Sequence, residues 1–244
     1  MRRGLGVRTI AAIHSKRPLA TMTTVFIARR GAQRTRASQA QLEASRELRV
    51  LGVADSLYRA HAALPGLNPD TLLIDLSLED GAALSLVRGL RERQAERPKV
   101  MLVAAEAADP LLFATLRADA DAYLLEADLA TAAAALRRLT AGEATMAAPI
   151  AAQVLVFFNQ PVNAPRLAAP ADDRRLDWHS HGANPMHLSP GECRLVQALA
   201  KGARAGEVAA RMAVSVESLG RRIGNIYRKL SWDVRSGSLS LLAA

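Results

Sequence analysis

Charged side chains stand at the ends of three short apolar runs. Asp75 closes Leu72-Leu-Ile-Asp75, Glu126 follows Ala122-Tyr-Leu-Leu125, and the pair Arg29 and Arg30 follows Val25-Phe-Ile-Ala28. Carboxylates and guanidiniums so placed hold a cation, a phosphate or each other through charge-assisted hydrogen bonds. A second set lies near the C-terminus, where Ser218, Arg221, Arg222, Asn225, Arg228 and Lys229 share one side of a stretch whose other side carries Leu219, Ile223, Ile226 and Leu230. Arginine reads guanine bidentately, which suits Arg221 and Arg222, while Ser218, Asn225, Arg228 and Lys229 suit the phosphate backbone. Asp177, His179, His181 and His187 fit no standard metal-ligand spacing, so no metal site is expected there. The single cysteine, Cys193, lies in an apolar-periodic stretch and reads as a buried thiol of a reducing compartment. No Ser/His/Asp or metal constellation appears, so neither an enzyme nor a cofactor is expected.

The elements that must position these groups follow from periodicity. The three runs above, with Leu48–Val53 and Val100–Val103, give five strands. They alternate with helix-like stretches near residues 32–46, 56–64, 82–94, 109–118 and 129–139. Such alternation predicts a doubly wound, five-stranded parallel sheet covered on both faces, whose working site lies beyond the carboxyl ends of the strands. Residues 147–158 read as a short helix with Pro149 in its first turn, and the proline-bearing, aperiodic stretch 159–187 as a linker. The last 57 residues read as an all-α unit of four helices. Its first carries Ser189-Pro190-Gly191-Glu192, a capping-box pattern, and stops at Gly202; its second spans Ala205–Ala213; its third is capped by Ser215.

Charge is uneven along the 244 residues. Residues 1–42 hold nine basic side chains and no acid, residues 43–150 hold sixteen acids against eleven bases, and residues 188–244 nine bases against four acids. Basic ends around an acidic middle favour a polyanionic partner, since clustered Arg and Lys release counterions from nucleic acid. The opening stretch lacks the apolar core of a signal peptide and reads as a basic disordered arm or as sequence upstream of a start at Met22. No stretch approaches the length needed to span a bilayer, and a cytoplasmic protein is expected.

The string Leu188-Ser-Pro-x-Glu192, Ala200-x-Gly202, Glu207-Val-Ala209, Val214-Ser215, Asn225-Ile226 and Lys229-Leu230 resembles the LuxR-type helix-turn-helix domain, without a gap over about 57 residues. The resemblance implies duplex DNA as partner and the stretch after Ser215 as recognition helix. Gly220 and Arg222 replace the Lys and His of the family pattern, and Ala205-Gly206 replaces its Asn-Lys. Glycine costs roughly 1 kcal/mol against alanine in a helix, so Gly220 and Gly224 suggest either a close approach to DNA or a weaker recognition helix.

The β/α half resembles the receiver domain of NarL/FixJ response regulators, with Asp75 at the phospho-accepting position and Tyr123 at the aromatic switch. The two carboxylates that hold Mg²⁺ in the family fall on Arg29 and Arg30, its Thr/Ser falls on Ala104 and its Lys on Glu126. Two fixed cations would repel the metal, and one arginine is expected to pair with Asp75 and the other with Glu126. A rival use of the two arginines is to receive an anionic ligand.

Together these readings predict four parts: an arm at 1–22, a pseudo-receiver of flavodoxin-like strand order at 23–145, a helix and linker at 146–187, and the helix-turn-helix unit at 188–244. The expected function is transcription regulation without phosphorylation, on duplex DNA, as a homodimer. One alternative is a protein-interaction module that heterodimerises with another regulator and barely touches DNA. Another is a conventional phospho-activated two-component regulator.

Overall fold

In a computed structural model of the chain, residues 22–91, 97–159 and 187–231 are described. The sheet is built from β1 (Thr23–Ala28), β2 (Leu48–Ala54), β3 (Thr71–Asp75), β6 (Lys99–Ala104) and β7 (Ala122–Leu125). Its order is β2-β1-β3-β6-β7, and every pairing is parallel. Between β3 and the next helix lies a hairpin that periodicity did not announce, β4 (Ser77–Leu78) against β5 (Gly81–Ala82). Setting that hairpin aside, the sheet is doubly wound, as the alternation of runs and helices predicts, and its order is flavodoxin-like, as the receiver resemblance implies.

Burial explains why those runs became strands. All five residues of β3 are buried, as are the last four of β1 and the last five of β6. Strands apolar on both faces must lie inside a parallel sheet covered by helices. The cover consists of α1 (Ala32–Ala44), α2 (Leu57–Leu67), α3 (Ala83–Arg91), α4 (Pro110–Arg117) and α5 (Ala132–Thr140). A 3-10 turn at Glu126–Thr131 leads into α5. The carboxylate of Asp80, beside the hairpin, accepts the Leu57 and Tyr58 N–H groups at 2.7 and 2.9 Å and so closes the start of α2.

α6 (Ala148–Phe158) follows with Pro149 in its first turn. The C-terminal unit contributes α7 (Pro190–Ala200), α8 (Ala205–Arg211) and α9 (Val216–Leu230); a fourth helix does not fall among the described residues. Ser189 and Glu192 form both halves of the capping box, and Gly202 turns left-handed at φ 86° to stop α7. Leu219, Ile223, Ile226 and Leu230 are buried, as their spacing requires. α6 rests chiefly on α7, and Phe157 also stands edge-on to Phe113 of α4, with centroids 6.5 Å apart. The sheet unit and the helical unit therefore form a continuous packed body through α6.

Candidate functional site

Strand order reverses between β1 and β3, and at their carboxyl ends lie Arg29, Arg30 and Asp75. Arg29 is 2 % exposed and spends three of its donors inside the protein. Its Nε donates to Asp75 Oδ1 at 2.8 Å, its Nη1 to Ser38 Oγ on α1 at 2.9 Å, and its Nη2 to Glu126 Oε2. Asp75 Oδ2 accepts the backbone N–H of Arg30 at 2.8 Å. The expected division of labour is corrected here: Arg29 alone pairs with both carboxylates, while the Arg30 side chain is exposed and contributes only its main chain. Successive side chains at a strand end point to opposite sides, so one of the two had to face out.

Both oxygens of Asp75 are thus engaged by nitrogen donors. The Mg²⁺ that the receiver resemblance implies does not fit this cluster, because the guanidinium stands where oxygen ligands would be needed. A divalent ion 4 Å from that charge would meet on the order of 8 kcal/mol of repulsion at an effective dielectric near 20. Ala104, 2 % exposed, ends β6 and brings no hydroxyl to the cluster. With Arg29 committed and Arg30 turned outward, an anion held between the two arginines is not what the geometry offers.

Tyr123 on β7 is buried, and its hydroxyl oxygen accepts the Ala147 N–H at 2.6 Å. Burial pushes its phenol up to about 12, opposed by that hydrogen bond. Ala147 belongs to the strap 141–147 between α5 and α6, which also binds α9. Ala144 N–H donates to the Gly220 carbonyl at 3.0 Å, and Tyr227 Oη donates to the Thr145 carbonyl at 2.6 Å. Farther along, Ser231 Oγ donates to Asp119 Oδ1 at 3.0 Å.

The glycines of α9 are explained by this strap. A Cβ at Gly224 would lie 2.7 Å from the Gly142 carbonyl oxygen, and one at Gly220 would lie 3.2 Å from Glu143 Cβ. The close approach anticipated for DNA is an approach to the chain's own backbone. Gly220, Gly224, Tyr227 and Ser231 thereby form a flank of α9 closed by the sheet unit.

Between that flank and the face packed on α7 and α8 a stripe remains open. Glu217, Arg221, Asn225 and Arg228 are exposed and, at 100° per residue, fall within an arc of about 80°. Asn225 Oδ1 accepts a hydrogen bond from Arg228 Nη2. Ser218 is partly buried at the cap, where its N–H donates to Ser215 Oγ at 3.1 Å. Arg222 is half-buried, and burial lowers its pKa against the opposing charge of Glu192. Lys229 is turned inward, with its Nζ 2.6 Å from Glu192 Oε2. The six candidates therefore divide: Arg221, Asn225 and Arg228 share the open stripe, and Ser218, Arg222 and Lys229 edge toward the helical core.

Several partners were not picked out from sequence. Asp119 and the strap lie far along the chain from the groups they bind. Ser38 stands nine residues from Arg29 with no pattern to mark it, and Glu192, legible as half of a capping box, gave no sign of its bond to Lys229. Cys193, expected to be buried, is half-buried, and burial followed by the charge of Glu192 raises its pKa. Asp177, His179 and His181 lie outside the described residues; among those described, no group of three His, Cys, Asp or Glu could hold a metal. No helix among the described residues is long and apolar enough to cross a membrane.

No family model matches the chain, and no curated protein matches it. The similar solved structures include response regulators of the LuxR type. The Salmonella typhimurium response regulator RcsB is 19 % identical with a TM-score of 0.46, over 85 % of this chain and 91 % of that one. RcsB of Salmonella enterica serovar Typhimurium bound to promoter rprA is 17 % identical with a TM-score of 0.48, over 86 % and 92 %. A LuxR-family DNA-binding response regulator from Staphylococcus aureus is 18 % identical with a TM-score of 0.45, over 48 % of this chain and 98 % of that one.

Proposed function

We propose that this chain is a DNA-binding regulator of transcription that works in the cytoplasm, as a dimer, without phosphorylation of its receiver-like unit. The observation that carries the DNA-binding reading is the open stripe of Arg221, Asn225 and Arg228 on the second helix of a helix-turn-helix, opposite its apolar face. A helix about 10 to 12 Å across fills a major groove about 12 Å wide, so the groove needs both flanks clear. The flank held by the strap must therefore part from the sheet unit when DNA is engaged. One short recognition helix reads few base pairs, which favours two copies on an inverted repeat. Independence from phosphate is supported by Asp75, whose two oxygens are already bonded to Arg29 Nε and Arg30 N.

The test begins with selection of duplexes from a random-sequence pool by the purified full-length protein. Arg221→Ala should relax preference at one base pair at a cost of about 1 to 3 kcal/mol, whereas Arg228→Ala should weaken all duplexes alike and lower the salt slope by about 1. Retention of no duplex overturns the reading. Incubation with acetyl phosphate and Mg²⁺ should leave Asp75 unlabelled; stoichiometric label would restore a conventional phospho-activated regulator. The covered flank of α9 favours a second reading, a module that pairs with another regulator and scarcely binds DNA by itself. A mobility shift with the purified protein alone separates it from the first.

A further inference from the structure

Lys229 does not face the open stripe. Its ammonium donates to Glu192 Oε2 at 2.6 Å and to the His187 carbonyl at 3.1 Å. The same Oε2 accepts the Ser189 N–H at 2.6 Å, while Ser189 Oγ accepts the Glu192 N–H at 3.3 Å. The two charged side chains are 21 % and 13 % exposed. One carboxylate oxygen therefore closes the start of α7 and clamps the last turn of α9. Two of the ammonium's three protons are spent within the protein, on acceptors that precede or begin α7. A pair this short, withdrawn from solvent and tied at both ends to main chain, fixes the separation and rotation of one helix on another, unlike an exposed pair of long side chains.

We infer that Lys229 and Glu192 form a positioning pair, which sets the angle at which α9 presents Arg221 and Asn225, and that Lys229 does not act as a phosphate contact. The inference rests on the DNA-binding reading above and changes the role of one of its candidate residues. A phosphate contact and a positioning contact differ in what their loss does. Losing the first removes one neutralised phosphate from every duplex and lowers the salt slope. Losing the second leaves the count of phosphates unchanged and takes away the fit to the preferred sequence.

The experiment titrates full-length protein against a labelled duplex selected by the wild type and against a scrambled one, between about 50 and 200 mM salt. Lys229→Met is expected to weaken the selected duplex about tenfold, to leave the scrambled one within about twofold, and to leave the slope unchanged. Glu192→Gln should do the same, and the double substitution should be no worse than either single change, since one interaction is being removed. Lys229→Arg keeps the ion pair and should retain the ratio between the two duplexes. A slope lower by about 0.9 in Lys229→Met, or tighter binding in Glu192→Gln, would give the ammonium to a phosphate and overturn the inference while DNA binding stands. Equal losses on both duplexes with a lowered Tm would make the pair merely structural and overturn it as well. A wild type that retains no duplex overturns the DNA-binding reading, and this inference with it.

Discussion

Arg29 ties the carboxyl ends of β1, β3 and β7 together with one side chain. Its guanidinium, 3 % exposed, meets the buried Asp75 carboxylate, the Ser38 hydroxyl and the part-exposed Glu126 carboxylate. Removing one member of a buried pair leaves an uncompensated charge, whereas removing both can be nearly neutral. Arg29→Met should therefore cost about 3 to 5 kcal/mol in urea unfolding, and Arg29→Met with Asp75→Leu should recover much of that loss. A single change that costs under about 1 kcal/mol would show the cluster to be solvated. That charged groups of both signs stand at the strand ends was legible in the sequence, because residue types at the ends of apolar runs are fixed by position. Which arginine turns inward was not, since that depends on the phase of β1 against α1 and on Ser38, a residue with no pattern to mark it.

At the scale of elements, the apolar period of α9 declared its core face and its cap, while its flank stayed hidden. The glycines at 220 and 224 have their reason 80 or so positions earlier, in the strap, and no local spacing encodes that distance. Gly224→Ala tests the arrangement. The new methyl would sit 2.7 Å from a main-chain oxygen, which cannot swing aside as a flexible side chain would. Alanine also favours the helix by roughly 1 kcal/mol. The variant should keep its helix, lose contact with the strap and bind duplex DNA more tightly than the wild type, measured by fluorescence anisotropy; weaker binding with unchanged strap protection in hydrogen exchange would refute the idea. Tyr123 holds the other side of the same strap. Its phenol ionises near 10 when unfolded and near 12 when folded, so its stabilising share is complete below pH 10 and is lost as pH rises from there toward 12. Tyr123→Phe should lower stability at pH 8 by about 1 to 3 kcal/mol, by orphaning the Ala147 N–H, and should flatten the alkaline fall. An unaltered alkaline slope in the urea midpoint would speak against it.

Across the whole molecule, the parallel sheet was readable from five apolar runs alternating with helix-like stretches, and the helical unit after it from the helical periodicity of the last 57 residues. How the units meet was not readable, because it is set by shape: a ring edge of Phe157 on Phe113, the Arg117 guanidinium 4.5 Å from the Phe157 ring, and Ser231 on Asp119. α6, assigned by sequence to the connection between units, lies on α7 and so on the far side of that connection from its own neighbours in sequence. The contacts along α6 are expected to hold the two units together when the join between Asn159 and His187 is cut. A protease site engineered within residues 160–186 and cut to completion should yield two fragments that still elute together on size exclusion, and the same two pieces produced separately should reassemble. Fragments that part at micromolar concentration would mean that covalent tethering, rather than the seam along α6, keeps the halves in company.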